Sequence, residues 1–296
     1  MIQVIALGLI SAGIYALFAL GVVLVYRGTK VLTFAGGEIG TAALYVTAFL
    51  VTDHGLSWGV GALIAVAVAA GAGALFEFAL VRRSVDADPV VTSILTVALA
   101  ATILAVELNH FGGSPKQLKP PVHGGVNVDG LIVSPVQIAA IVVAALLGFG
   151  LQAFLRRTDF GLAILAAADD PTATRLVGVR VSRVRMTLWA GSFALAAIAA
   201  LLVEPTIGVI SPGYASRLYL GGLAAAVIGG LDSLPGAVWG ATVLGLVQAF
   251  VIRYVRVDVG GLDFDVTLVL LLVALLGRSF LPQLRRRLNP PREAVA

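Results

Sequence analysis

The chain has 296 residues, 59% of them apolar and only 12% charged, with a net charge of +4 and no cysteine. So low a charged fraction, with apolar runs of about twenty residues along the whole length, excludes a soluble globular fold and points to one polytopic helical membrane domain. Disulfides and thiolate metal sites are excluded by the lack of cysteine. The modest basic excess falls where cytoplasmic loops belong, which is not a nucleic-acid signal.

Spans are expected at roughly 3–25, 33–52, 58–81, 90–109, 134–155, 187–203, 218–231, 236–254 and 264–281. The first carries no Lys or Arg ahead of its apolar core, so it reads as a retained span and not a cleaved signal peptide. In the second, Gly36-Gly37-Glu38-Ile39-Gly40 sets two glycines four apart, a spacing that Gly236 and Gly240 repeat. Small residues at this interval let helices approach closely, or they break a helix beside a translocation path. Glu38 is the acidic residue of most interest, because an ionisable group in hydrocarbon is costly unless it faces a wet cavity or a partner. The alternative is a late helix start that leaves Glu38 near the cytoplasmic interface. Gly36, Gly37, Glu38 and Gly40 are the candidates for the translocation path.

Glu77, followed by Arg82-Arg83, reads as a snorkelling interfacial charge. Glu107 and Glu204 read as rim residues at outer span ends. The segment His110–Ser134, with Gly112-Gly113, Pro120-Pro121 and Gly124-Gly125, is turn-rich and expected to be extended, part of an outer rim. The basic segment Arg156–Met186 then interrupts the hydrophobicity with six arginines. Inside it, Asp170 is an N-cap, Pro171 takes the first helical position, and Gly178 falls just past the end. A well-capped miniature helix in a basic loop reads as a handle for another protein; a loop resting on anionic lipid is the plainer alternative. Leu218–Leu231 is short, and Gly208–Ala215, with Ser211-Pro212-Gly213, also reads as a re-entrant piece. The span count therefore lies between eight and ten, with nine as the best value.

Nine spans put the termini on opposite sides. With the N-terminus outside, segments 26–32, 82–89, 156–186, 232–235 and 282–296 are cytoplasmic. They hold most of the twenty Lys and Arg residues, including the Arg285-Arg286-Arg287 tail, as the positive-inside rule requires. His54, His110 and His123 all fall in outside loops, so no intramembrane proton relay is written in the chain. No HExxH, GxSxG, paired catalytic carboxylates or GxxxxGK[ST] loop is present. An enzyme is not expected, no cofactor is called for, and nucleotide hydrolysis by the P-loop route belongs to other chains.

Four blocks resemble the permease subunits of branched-chain amino acid ABC importers, the high-affinity leucine/isoleucine/valine family. They are Gly8–Tyr26 (GLISAGIYALFALGVVLVY), Thr33–Tyr45 (TFAGGEIGTAALY), Gly161–Arg183 (GLAILAAADDPTATRLVGVRVSR) and Ser211–Gly245 (SPGYASRLYLGGLAAAVIGGLDSLPGAVWGATVLG). The resemblance implies an all-α, type II ABC-importer-like permease domain over residues 1–296, in the bacterial inner membrane. Its implied partners are a second homologous permease, two cytoplasmic ABC ATPases and an extracytoplasmic solute-binding protein. It also implies a role for Asp170, Pro171, Ala173, Arg175, Leu176, Val177 and Gly178 in coupling to the ATPase. Relatives of this type carry branched-chain or other amino acids, urea or short amides. Leu165-Ala166 departs from the family's Arg-Ala pair, Asp170 from its usual amide cap, Gly37 from a frequent histidine and Asp232 from a common glycine. The Gly37 and Asp232 departures bear on the substrate more than on the fold. The rival reading is a stand-alone secondary carrier or channel, in which the 156–186 segment merely connects spans.

Overall fold

The computed structural model describes residues 1–84, 88–112, 115–117, 125–128, 131–254 and 265–274. Helices α1 (Ile2–Thr29), α2 (Gly36–Thr52), α3 (Trp58–Ala79), α4 (Pro89–Phe111) and α5 (Pro135–Arg157) precede two short ones, α6 (Asp159–Asp169) and α7 (Pro171–Leu176). Helices α8 (Val181–Ile207), α9 (Tyr214–Gly229), α10 (Leu234–Tyr254) and α11 (Asp265–Ala274) follow. Six described helices are long and apolar enough to cross a membrane: α1, α3, α4, α5, α8 and α10. The expected spans at 33–52, 218–231 and 264–281 correspond to the shorter α2, α9 and α11. The Arg285-Arg286-Arg287 tail, the end of the last expected span, and Gly113, Pro120, Pro121, His123 and Gly124 of the outer loop lie outside the described residues.

Helix α1 is apolar on every side, and a helix of that kind belongs in the middle of a bundle. Leu17, Ala19, Leu20, Val22, Val23 and Val25 are wholly buried, with α5, α8, α9 and α10 packed around them. Helix α4 is the inverse. Its buried residues are Thr92, Thr96 and Glu107, while Val90, Ile94, Val97 and Val106 point outward. In a bilayer, polar residues turn inward and apolar ones face lipid or another subunit, so this helix stands at the edge.

Small residues set the closest crossings. A Cβ at Gly240 would overlap the Ala225 carbonyl oxygen and stand 2.7 Å from the Gly229 nitrogen, so α9 and α10 touch backbone to backbone. At Gly245 it would stand 2.5 Å from the Gly8 carbonyl oxygen of α1. Leucine at Gly240 is therefore expected to destabilise the bundle by about 3 kcal/mol, at the upper end of overpacking costs. Leucine at Gly71, which meets nothing within 4 Å, should be tolerated. Thermal unfolding in detergent checks the pair, and equal midpoints would contradict the crossing.

The segment between α8 and α9 contains β4 (Val209–Ile210), which pairs antiparallel with β1 (Lys116–Gln117) of the outer loop. Strands β2 (Val126–Val128) and β3 (Leu131–Val133) form a hairpin in the same loop. Gly213, at φ +69°, then turns the chain into α9.

Candidate sites: the basic face and a buried carboxylate pair

Segment 156–186 is helical over most of its length. Arg156 and Arg157 close α5, and α8 begins at Val181, six residues before the expected span at 187. Helix α6 folds back on α5 because Gly161 has no side chain; a Cβ there would stand 2.6 Å from Leu155 Cα. Its buried stripe is Gly161, Ile164 and Ala167.

Helix α7 is capped at both ends. Asp170 Oδ1 accepts from the amides of Thr172 at 2.8 Å and Ala173 at 2.9 Å, and Pro171 is the first residue. At the other end the Gly178 amide donates to the Arg175 carbonyl and the Val179 amide to the Thr174 carbonyl. With Gly178 at φ +85° this is a Schellman closure. Thr174 is the inward residue. Ala173 and Arg175 are exposed, and Leu176 and Val177 are 85% and 78% exposed. Leu176 and Val177 are thus a pair of exposed apolar side chains on a helix fixed at both ends. The seven residues expected to act together are thus brought together.

The second site is at the start of α2. Residues 31–34 have no regular secondary structure and Ala35 is a turn; the segment lies beside α4, buried or half-buried. Non-helical backbone at membrane depth is tolerable only where its polar groups are met from within the protein. Here the Leu32 amide donates to Ser93 Oγ at 3.2 Å and the Phe34 amide to Thr96 Oγ1 at 3.0 Å. The Tyr219 hydroxyl donates to the Thr33 carbonyl at 2.5 Å. Thr96 lies seven residues into α4, so α2 starts roughly 10 Å beyond that helix's first residue.

Gly36, Gly37, Glu38 and Gly40 occupy the first turns of α2 and all are buried. A Cβ at Gly36 would overlap the Tyr219 ring; at Gly37 it would stand 2.6 Å from Ser216, and at Gly40 2.9 Å from Ala200 Cβ. These glycines let α2 lie directly against α8 and α9. Glu38, 6% exposed, accepts from Ser216 Oγ at 2.6 Å. Glu107, 3% exposed, accepts from the Gly213 amide at 3.2 Å. A Cβ on Gly213 would stand 3.7 Å from Glu38 Oε1, so the two carboxylates flank one residue. The Ala215 amide donates to Thr41 Oγ1 at 3.1 Å in the same place.

Two expectations are corrected here. Glu107 is not a rim residue; it is turned inward against the α9 turn. Nor does Glu77 snorkel: it is buried to 1% exposure and pairs with Arg185 of α8 at 3.7 Å. Each carboxylate is reached from a neighbouring element, Glu107 by the Gly213 amide and Glu77 by the Arg185 guanidinium. The side chain of Glu204 lies outside the described residues. Asp232 forms an ion pair with Lys30 at 2.6 Å, both side chains being exposed. Thr92, Thr96 and Glu107 went unnoticed in the sequence as a set. Their spacing of four and eleven keeps them on one helix face, the signal that marks the inward side of an otherwise apolar span.

Residues 4–277 match the protein family described as branched-chain amino acid transport system / permease component. The chain is similar to the high-affinity branched-chain amino acid transport system permease protein BraD of Pseudomonas aeruginosa, at 29% identity over 82% of this chain and 83% of that protein. Similarity to the corresponding permease protein LivH of Escherichia coli K12 is 27% over 90% and 91%. The autoinducer 2 import system permease protein LsrC of an Enterobacter species is 30% identical, over 90% of this chain and 76% of that protein.

Proposed function

Because this chain belongs to the branched-chain amino acid transport system permease family, we propose that it is the membrane subunit of an ABC importer for branched-chain amino acids or a similar small polar solute. Partner ATPases supply the energy, and a binding protein delivers the solute. The observation that carries this reading is α7, a short, doubly capped helix that presents Leu176, Val177 and Arg175 to the outside of the bundle. At roughly 1.5 Å per residue it is a peg of about 9 Å. A peg of that size fits a cleft in an ATPase, with Arg175 placed to meet acidic groups there. A second homologous permease completes the membrane unit.

The positive-inside arrangement puts the N-terminus outside and α7 in the cytoplasm of a cell whose inner membrane holds the chain. The solute passes beside the broken entry to α2. Gly36, Gly37 and Gly40 hold that entry against α8 and α9, and Glu38 stands at it. No catalytic step belongs to this chain; hydrolysis takes place on the ATPases.

The experiment is to tag the chain in its native membrane, solubilise it gently and identify what co-purifies by mass spectrometry. Two P-loop ATPases and a second permease are the expected companions. Recovery of the chain alone across several detergents would overturn the importer and favour a stand-alone carrier.

A further inference from the structure

Helix α9 carries a single charge, Arg217, and its side chain is exposed. It makes no hydrogen bond or ion pair among the described residues. The other sides of α9 are filled. A Cβ on Gly221 would stand 2.5 Å from the Tyr15 ring of α1, one on Gly222 would overlap Phe18, and Gly240 of α10 abuts Ala225. Ser216 abuts Gly37 of α2. Leu220, three residues on from Arg217, is also exposed, so the two mark the open side of the helix.

The bonds of α9 fix how deep this arginine lies. From Arg217 to Gly229, beyond which the exposed Lys30–Asp232 pair marks one surface, the helix runs roughly 18 Å at 1.5 Å per residue. In the other direction Gly213 lies about one turn away, held by Glu107, which is itself about one turn from the Phe111 end of α4. Those two turns add roughly 11 Å. The two depths together match the roughly 30 Å of a bilayer's hydrocarbon, and Arg217 stands well inside it.

An unpaired arginine at that depth is costly against lipid and belongs where water reaches it. Arg217 follows directly on Ser216, which holds Glu38 at the broken entry to α2. Broken helix entries at membrane depth line aqueous cavities. We infer that Arg217 lines a water-filled path beside that entry and gives it a positive potential, a filter that turns back cations. The glycine crossings leave no room between α9 and its neighbours α1, α2 and α10, so the path follows the open side of α9. A fixed charge beside confined water acts strongly on every ion that passes. The filter bars solutes of net positive charge from the proposed importer, and so rests on that reading.

The chain has no cysteine of its own, which allows the potential to be read at one introduced thiol. Leu220→Cys is placed in the purified complex, in liposomes without ATP. Its modification by the anionic sulfonatoethyl and the cationic trimethylammonioethyl methanethiosulfonates is then timed by mass spectrometry of this chain. At about 6 Å in water a unit charge alters each rate about threefold, so the anionic-to-cationic ratio should exceed that of a free thiol by about tenfold. Arg217→Gln should abolish this preference and Arg217→Lys should keep it, which a merely structural role for Arg217 would not produce. Leu146→Cys, on the outward face of α5, is the lipid-facing control and should stay unmodified. An unreactive Leu220→Cys, covered by lipid or by a partner, would overturn the filter. So would a free-thiol rate ratio, or a preference that survives Arg217→Gln. If the glutamine variant does not assemble, the ratio at Leu220→Cys alone decides. Co-purification tests the importer separately: a chain recovered alone that still shows the preference keeps the filter and loses the importer.

Discussion

Valine at Gly178 is expected to cut ATP-driven solute uptake by about tenfold or more while the chain still inserts and folds. Gly178 has φ +85°, a left-handed conformation that costs an L-residue about 1–2 kcal/mol and a β-branched one most. Helix α7 has only six residues, far below the length at which a helix is stable alone, so its two closures are what hold it. Losing the Schellman bonds from Gly178 and Val179 frees the end that carries Leu176 and Val177. A Cβ at Gly178 meets nothing within 4 Å, so the bundle itself should not notice the change. Asparagine, which tolerates this conformation, is the control and should keep most of the uptake. Uptake and ATPase stimulation in proteoliposomes, alongside the unfolding midpoint, separate the outcomes. Wild-type uptake by the valine variant would remove α7 from the coupling.

Alanine at Arg185 should destabilise the fold by about 3–5 kcal/mol, the cost of leaving one partner of a buried pair uncompensated. Glu77 would then keep only the weaker influence of Arg82. At 3.7 Å the pair lacks the geometry of a strong hydrogen bond, so its net stabilisation is small even though breaking it is costly. Replacing both residues by leucine should restore most of the stability. A double-mutant cycle followed by thermal unfolding tests this, and strictly additive losses would refute the pairing.

Much of this was readable in the chain. Hydrophobic length placed the long spans because crossing a bilayer is a demand on consecutive residues, and α1, α3, α4, α5 and α10 fall where those runs lie. Caps are equally local. Asp170, Pro171 and Gly178 announce α7 since each acts on backbone groups within a few residues of itself, and the structure forms those contacts. The family, too, followed from contiguous blocks.

What the tertiary structure alone decided concerns partners far apart in sequence. The entry to α2 is broken at 31–35 because Ser93 and Thr96, some sixty residues away, satisfy its amides. Glu38 meets Ser216 across 178 residues, and Glu107 meets Gly213 across 106. Neither spacing carries a periodic signal. Gly36 and Gly37 read as packing or as a helix break with equal ease, and only the positions of Tyr219 and Ser216 show how little room lies beside them. Glu77 looked interfacial for the same reason, since its compensating charge is Arg185 on another helix. A buried charge is permitted by what surrounds it, and the surroundings of a residue in a bundle are set by helix crossings, which no local stretch of sequence encodes.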